Sequence, residues 1–176
     1  MSDLLRDIAL PTVAVLGNHD HWSSAERVAR ALEKASISVL RNQHTTLSLR
    51  GALFHVLGVD DGTTRNDDPA ATFSGVPRIG SRLVLTHTPS AADRLPADEG
   101  FLCLSGHTHG GGVVVPGLTR LALNMIGEPY HRGMYNVRGN QLYVNRGLGR
   151  NGPVPRVGAP PELTVLTLRR ANPQTA

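Results

Sequence analysis

Three apolar segments of this chain each run directly into a histidine-bearing turn, and this repeated arrangement limits the folds available to it. Short apolar runs bounded by Gly or Pro are typical of buried strands. In α/β folds, ligand sites form beyond the ends of such strands. The pattern therefore predicts an α/β protein whose site is assembled from several strand ends. The segments and their turns are Leu10–Leu16 with Gly17–Asp20, Arg82–Thr86 with His87, and Phe101–Ser105 with Gly106–His109.

The side chains in these turns are of types that bind transition metals. Imidazole and amide groups suit Zn, Mn or Fe, and His107 and His109 are two such donors on one loop. The neighbouring glycines let the backbone approach a metal and its phosphate closely. A single histidine at a strand end is more often a surface or core residue. Three such turns in one chain favour a metal site.

The rest of the chain alternates between further strand and helix patterns. The strand count favours a mixed β-sheet sandwich with helices outside it, and we expect residues 1–176 to form a single domain. The predicted strands are Ser36–Leu40, Thr45–Leu49, Ala52–Val59, Met134–Val137, Gln141–Asn145 and Glu162–Leu168. The predicted helices are Ser23–Ala35, Ser90–Leu95 and Leu118–Ile126, and Thr63–Ile79 is predicted to be a loop or a loop with one helical turn.

The composition excludes several functional classes. The net charge is +4, but the basic residues are spread along the chain and aromatics make up only 4%, so nucleic-acid binding is not expected. The single cysteine, Cys103, excludes an internal disulfide and is predicted to be a small buried hydrophobe. No apolar run is long enough to cross a bilayer, and the N-terminus lacks the blocks of a secretory signal. We therefore expect a cytoplasmic protein.

The order of the three histidine turns resembles the later motifs of calcineurin-like metallophosphoesterases. GNHD at Gly17–Asp20, the histidine of LTHTP and GHTH at Gly106–His109 carry the resemblance. Further segments are similar to the bacterial YkuE-type branch, which includes phosphodiesterases acting on UDP-diacylglucosamine. These segments are Gly58–Asp61, Leu95–Asp98, Leu104–Gly111, Tyr143–Gly149 and Pro160–Thr164. The resemblance implies a metallophosphoesterase-type mixed β-sheet sandwich flanked by helices.

The resemblance also assigns roles to the metal-binding side chains. Asn18, His87 and His107 would bind one divalent metal, namely Mn, Zn or Fe, and His109 would reach toward a second. Two cations bridged by a water lower the pKa of that water and clamp the phosphate oxygens during an in-line displacement.

Two neighbouring residues receive catalytic roles from the same resemblance. His19 would contact the phosphate and protonate the leaving oxygen. Asp20 would orient His19 through a carboxylate–imidazole hydrogen bond.

The family pattern also includes an Asp-x-His and a Gly-Asp motif before GNHD. Neither is found in the sixteen residues that precede Gly17. We therefore expect an N-terminally truncated form of the fold, with an unpaired sheet edge and with one metal position better supported than the second. The sequence leaves two hypotheses open. One is a metal-dependent hydrolase of phosphodiester or pyrophosphate bonds in a nucleotide- or lipid-linked substrate. The other is an inactive remnant, or a part completed by a separate N-terminal segment.

Candidate substrate contacts come from the second half of the chain. Arg146 follows a strand in a Gly-rich turn, and we prefer it for binding phosphate over His131, Arg132 and Arg150. The segment 113–132 contains an amphipathic helix with two interpretations. It either packs on the sheet, or it is an exposed apolar flap that accepts acyl chains or rests on a membrane surface. The oligomeric state is open.

The remaining polar and aromatic residues near the motifs are interpreted more conservatively. Trp22 is predicted to be a packing or rim residue, and His21 an exposed loop histidine. Asp60 and Asp61 are predicted to form a turn, with the outer wall of the site as the alternative. His44 and His55 are predicted to be structural residues, as are most histidines inside strands.

Overall fold

The computed structural model describes residues 10–49, 51–149 and 155–169, so Arg150 and the N-terminal segment considered above lie outside the described residues. The strands in this part of the chain are β1 Thr12–Ala14, β2 Ile37–Val39, β3 Gln43–Leu49, β4 Ala52–Val59, β5 Ser81–Thr86, β6 Leu102–Ser105, β7 Gly133–Val137 and β8 Asn140–Val144. The helices are α1 Asn18–Ser23, α2 Ala25–Glu33, α3 Pro69–Phe73 and α4 Leu118–Met125, with 3-10 turns at Pro89–Arg94 and His109–Gly111.

Six strands form the main sheet, in the order β3-β4-β5-β6-β8-β7. The inner strands β4, β5, β6 and β8 are parallel, while β3 and β7 pair antiparallel at the two edges. Because parallel strands end at the same side of a sheet, the residues that follow the four inner strands lie along one border. We call this border the carboxyl edge, and its residues include Asp60, His87, His107 and Arg146.

The inner strands are apolar because helices and loops cover them. Leu57, Val84, Cys103 and Leu142 come from four adjacent strands and belong to one buried cluster. Cys103 is a buried apolar residue, as predicted, and its burial raises the pKa of its thiol to about 12. The cluster makes the inner strands a rigid support for the carboxyl edge.

A second, two-stranded sheet packs against the main one. Strands β1 and β2 are parallel, and the backbone N–H of Leu40 donates to the Ala14 carbonyl 2.9 Å away. A Cβ at Gly58 of β4 would lie 2.2 Å from Leu40 Cβ, so glycine permits this close approach. The mixed α/β architecture with helices flanking a mixed sheet confirms the predicted fold class. Within the described residues, β1 pairs with β2 alone.

The prediction of a strand at Glu162–Leu168 is wrong. No strand forms there, and Leu163 and Val165 are 82% and 88% exposed. The side-chain pattern of this segment is typical of a strand, but a strand also needs a neighbouring strand for its backbone hydrogen bonds. This segment is instead attached through side chains, with Tyr143 Oη and Asn145 Nδ2 lying 3.0 and 2.8 Å from Thr164 Oγ1.

The GNHD turn also differs from the expectation, because its last three residues begin helix α1. The backbone N–H of Gly17 donates to the Asp20 carboxylate at 2.8 Å, which caps the first turn of the helix. Asp68 caps α3 from the opposite position: it is the N-cap residue, and its side chain accepts from Ala71 N at 2.9 Å. The predicted loop at Thr63–Ile79 therefore does contain one short helix. Local capping side chains explain both helices.

Candidate metal centre

Three predicted ligands meet at the carboxyl edge of the sheet. His87 Nε2 lies 3.0 Å from Asn18 Oδ1 and 3.1 Å from His107 Nδ1. These side chains come from the start of α1, the residue after β5 and the turn after β6. A Cβ at Gly17 would lie 2.8 Å from the His87 ring, so glycine permits the GNHD turn to approach that ring. The fold therefore brings together donors that are far apart in the sequence.

The separations of these donors suit a metal ion. In a tetrahedral site with metal–nitrogen bonds of about 2.0–2.1 Å, neighbouring donors lie about 3.3 Å apart. The observed separations of 3.0 and 3.1 Å are close to that value. In the part of the chain that the structure describes, no three His, Cys, Asp or Glu side chains group as a metal site. The donor set is therefore two imidazoles and one amide, which is neutral and fits one divalent ion.

Burial keeps the two imidazoles neutral. It lowers the pKa of His87 to about 4, and the nearby His107 lowers it further. Burial also lowers the pKa of His107. The carboxylate of Asp61 acts in the opposite direction on the pKa of both rings. Both histidines are therefore in the metal-binding form at neutral pH.

The GHTH loop is held in an unusual backbone conformation. His107 and His109 have φ values of 66° and 51°, in the left-handed region that non-glycine residues rarely adopt. The backbone N–H of Gly106 donates to the His87 carbonyl at 3.1 Å, and Thr108 Oγ1 donates to the His131 carbonyl at 2.7 Å. Such strain costs about 1–3 kcal/mol per residue and persists only where the surroundings enforce it. The loop thus presents His107 to His87 in a fixed position.

His109, the fourth predicted ligand, faces a different neighbour. Its Nδ1 lies 3.3 Å from the Gly149 carbonyl and 3.2 Å from the guanidinium of Arg156. Arg156 also donates to the Ala159 carbonyl at 3.2 Å, so it organises the C-terminal loop around His109. Arg156 was not among the predicted site residues, because no motif in its Pro- and Gly-rich surroundings indicates it.

His19 and Asp20 follow Asn18 directly on α1, and so lie beside the three predicted ligands. His19 is exposed, and its ring packs edge-to-face with Trp22 at a centroid distance of 4.9 Å. The Asp20 carboxylate accepts the Gly17 N–H, and the hydrogen bonds of the described residues include none between Asp20 and the His19 ring. Asp20 therefore holds the turn that carries Asn18 and His19.

A carboxylate network supports α1, and it corrects one prediction. His21 is not an exposed loop residue, because its side chain is 9% exposed and its Nε2 lies 2.8 Å from Asp60 Oδ1. Arg41 Nε donates to the other oxygen of Asp60 at 3.1 Å. The prediction missed this pair because α1 and the end of β4 meet only in the folded protein.

Asp61 is also more than a residue of a surface turn. Its side chain is buried and accepts from Thr64 N at 2.8 Å and from Thr88 Oγ1 at 2.9 Å. Thr88 follows His87 directly. Asp61 therefore begins the turn that was predicted, and its side chain also forms part of the inner wall behind the predicted ligands.

Arg146 is held at the end of β8, next to the GHTH loop. Its aliphatic stem packs on Gly110, where a Cβ would lie 2.6 Å from Arg146 Cγ. Its Nε donates to Glu162 Oε2 at 2.6 Å. Burial raises the pKa of Glu162, but hydrogen bonds from Tyr143, Arg146 and Thr164 outweigh it and lower this pKa to about 2. The ion pair positions Arg146 beside the histidines.

Helix α4 carries an apolar surface that packs little against the rest of the protein. None of its residues is buried. The interpretation of this helix as one that packs on the sheet is therefore wrong. Its exposed apolar residues, together with the next residue, are Leu118, Leu121, Met125 and Ile126, and we call them the α4 patch. Among the described residues, no helix is long and apolar enough to span a membrane.

Both ends of the α4 segment are fixed to the histidine loops. A Cβ at Gly111 would lie 2.6 Å from Thr119 Cγ2, which shows how closely the helix approaches the GHTH loop. After the helix, the buried Glu128 carboxylate accepts from Ser90 N at 3.2 Å and from Ser90 Oγ at 2.9 Å. Ser90 lies three residues after His87, so the α4 patch stays at a fixed place relative to the ligands.

The chain is similar to several bacterial proteins over nearly its whole length. It is 37% identical to the uncharacterized metallophosphoesterase YkuE of Bacillus subtilis, with 96% of this chain and 60% of the relative covered. It is 32% identical to the phosphodiesterase YaeI of Escherichia coli, with 95% of this chain and 62% of the relative covered. It is 27% identical to the UDP-2,3-diacylglucosamine pyrophosphatase LpxG of Chlamydia muridarum, with 77% and 42% covered.

The chain spans about three fifths of the length of the YkuE and YaeI relatives. No family model matches it, and no solved structure matches it either. The similarity to YkuE nevertheless covers 96% of the chain and so includes all three histidine turns, in which His87 lies within hydrogen-bonding distance of both Asn18 and His107. The chain belongs to the calcineurin-like metallophosphoesterase family.

Proposed function

We propose that this chain carries the metal-binding part of a metal-dependent phosphoric ester hydrolase that cleaves a phosphodiester or pyrophosphate bond. The position of His87 between Asn18 and His107 is the observation that carries the proposal. Two relatives support the reaction class by name, one as a phosphodiesterase and one as a UDP-2,3-diacylglucosamine pyrophosphatase.

In this proposal, Asn18, His87 and His107 hold one divalent metal ion, and His109 contributes to a second. Imidazole and amide donors suit Mn, Zn or Fe. When bound, the metal supplies Lewis acidity toward the phosphate and lowers the pKa of an attacking water. The protein supplies the positions of the donors, because the buried Asp61 and Thr88 support the loop after β5.

The remaining catalytic roles belong to exposed side chains at the same edge. His19 projects from the turn that carries Asn18, and in this proposal it protonates the leaving oxygen. Arg146 contacts the anionic phosphate from the other side of the GHTH loop, and its ion pair with Glu162 limits its motion.

The α4 patch favours a lipid-linked substrate and contact with a membrane surface through residues 113–132. Its four apolar side chains are exposed, and the segment is fixed to both histidine loops. Burial lowers the pKa of His131, and the positive charges of Arg132 and Arg120 lower it further. Basic groups therefore lie close to this segment and would attract anionic headgroups. An apolar face with basic neighbours is typical of interfacial helices.

The alternative is that this chain binds metal and phosphate but requires a separate segment for catalysis. The ligands that converge in the described structure are all neutral, whereas carboxylates would offset the charge of two cations. This chain covers only 60% and 62% of the YkuE and YaeI relatives. The part of those relatives that it does not cover is what the separate segment would correspond to.

Hydrolysis of bis(p-nitrophenyl) phosphate by the zinc- or manganese-loaded chain tests the proposal. We expect turnover that chelation abolishes and that His107→Ala lowers by at least about a hundredfold, because a ligand is lost. His44→Ala is the matched control, since His44 lies in the edge strand β3 and not in any of the three turns that carry the proposed ligands. Metal-loaded chain without turnover would support the alternative, in which this part alone does not catalyse.

A further inference from the structure

Arg156 lies in the C-terminal loop and binds backbone carbonyls from three separate parts of the chain. Its guanidinium donates to the His109 carbonyl at 3.4 Å and to the Arg146 carbonyl at 2.7 Å. It also donates to the Gly149 carbonyl at 2.7 Å through Nε and to the Ala159 carbonyl at 3.2 Å. His109 belongs to the GHTH loop, whereas Arg146 and Gly149 follow β8. One side chain therefore holds the loop of a proposed metal ligand against the loop of the proposed phosphate contact.

These carbonyls use every donor of the guanidinium. An arginine carries five N–H groups in a fixed planar fork, one on Nε and two on each Nη. The acceptors are the carbonyls of Gly149 for Nε, of His109 and Ala159 for Nη1, and of Arg146 and Gly149 for Nη2. No N–H is left over for a phosphate oxygen. Arg156 therefore acts on the site through the groups that it holds and not by contact with the substrate.

The same contacts determine which nitrogen of His109 carries the proton. His109 Nδ1 lies 3.3 Å from the Gly149 carbonyl and 3.2 Å from Arg156 Nη2. Both N–H groups of Nη2 already have carbonyl acceptors, so Nη2 does not require Nδ1 as a further acceptor. Nδ1 is then the donor, and the Gly149 carbonyl is its acceptor. Nε2 is left unprotonated, which is the form of an imidazole nitrogen that binds a metal.

We propose that Arg156 is a positioning residue for the proposed reaction, because it fixes the Gly149 carbonyl that keeps the proton on His109 Nδ1. His109 Nε2 is thereby directed toward the second metal. This inference rests on the proposed function, since it uses His109 as a ligand. The bond from Arg156 to the Arg146 carbonyl also keeps the phosphate contact at a constant distance from that ligand.

Nitrogen NMR of the histidine rings tests this role without any turnover. Long-range proton–nitrogen correlation in mildly alkaline buffer distinguishes Nδ1–H from Nε2–H imidazoles, and the His109 signals are those missing from His109→Gln. In the metal-free parent protein we expect His109 to be protonated on Nδ1. In Arg156→Lys we expect a shift toward the Nε2–H form, because a single ammonium cannot replace the planar fork that holds the Gly149 carbonyl.

Arg138→Lys is the matched control. Arg138 also binds backbone carbonyls, since its Nη1 donates to those of Asp93 and Leu95 at 2.9 and 3.0 Å. It lies in the turn between β7 and β8, at the end of β8 opposite the carboxyl edge. The control variant should leave the tautomer of His109 and the turnover of the metal-loaded protein unchanged.

Hydrolysis of bis(p-nitrophenyl) phosphate by the manganese- or zinc-loaded protein gives a second readout. Arg156→Lys should lower turnover by about 10- to 100-fold, the usual effect of losing a group that orients a metal ligand. Turnover that Arg156→Lys retains in full would contradict the role of Arg156 and leave the proposed function intact.

An Nε2–H signal from His109 in the parent protein would overturn the positioning role, whether or not the variant folds. An Nδ1–H signal that Arg156→Lys retains would overturn it as well. If the metal-loaded parent protein hydrolyses nothing while the tautomer changes as expected, the proposed function fails and the orientation of His109 by Arg156 stands.

Discussion

At the residue scale, His87 connects the candidate metal centre to the stability of the fold. Its ring contacts Asn18 and His107, and Gly17 makes room for it. Its burial, together with the proximity of His107, lowers its pKa from 6.5 to about 4. The folded, metal-free protein therefore disfavours the protonated form of this side chain, whereas the unfolded chain accepts a proton readily.

This difference predicts a loss of stability in acid. Above pH 6.5 the ring is neutral in both states, and below it the unfolded chain binds the extra proton. The free energy of unfolding of the metal-free protein should fall by about 3 kcal/mol as pH decreases from 6.5 to about 4, at ~1.4 kcal/mol per pKa unit. Urea unfolding in the presence of a chelator measures it. His87→Gln should show a clearly smaller fall, and equal pH dependence in both proteins would contradict the assignment.

At the element scale, α4 is set apart from the other helices. Helix α2 buries Ala29, and α3 buries Thr72, whereas α4 buries none of its residues. Its position comes instead from its two ends, through the contact of Thr119 with Gly111 and the bonds between Glu128 and Ser90. A helix held in this way keeps its apolar side chains available for an external partner.

Removing apolar groups from α4 should therefore weaken membrane binding without unfolding the protein. The double variant Leu121→Ser and Met125→Ser should bind phosphatidylglycerol vesicles at least about tenfold more weakly, since each buried apolar side chain contributes ~1.5–3 kcal/mol. Cosedimentation measures the binding. Hydrolysis of a water-soluble phosphodiester should be unchanged in this variant.

The control for that experiment is Ile79→Ser, which removes an equally exposed apolar side chain away from α4. It should leave vesicle binding as it is in the parent protein. If the double variant binds vesicles as well as this control does, the α4 patch is not a membrane contact.

At the scale of the whole molecule, the candidate metal centre joins elements of both sheets. Asn18 follows β1 of the small sheet, while His87 and His107 follow β5 and β6 of the main sheet. An ion held by all three would link the two sheets. Binding to the folded state alone stabilises a protein by about 2.7 kcal/mol when the free ligand is at a hundred times its dissociation constant.

Zinc should consequently raise the thermal unfolding temperature. A stabilisation of that size corresponds to about 5–10 °C for a chain of this length. Differential scanning calorimetry with and without chelator measures the shift. The shift should disappear in Asn18→Ala and persist in His44→Ala. A shift that Asn18→Ala retains would mean that zinc binds elsewhere.

Much of the fold was predictable because its signals are local. The bounds of β4 agree with the prediction, and β5 and β6 differ from it by one residue each, since apolar runs ending at polar turns mark buried strands. The same reasoning located the histidines, because side chains that follow parallel strands must meet at one edge.

By itself, then, the sequence determined the strands of the main sheet and the residue types that follow them. Only the tertiary structure decided which of those residues meet. It paired His21 with Asp60 across 39 positions, turned His109 toward Arg156, and left Glu162–Leu168 without a strand partner. The physical reason is that periodicity and capping act within a few residues, whereas burial and ion pairing depend on neighbours that the folded chain brings together.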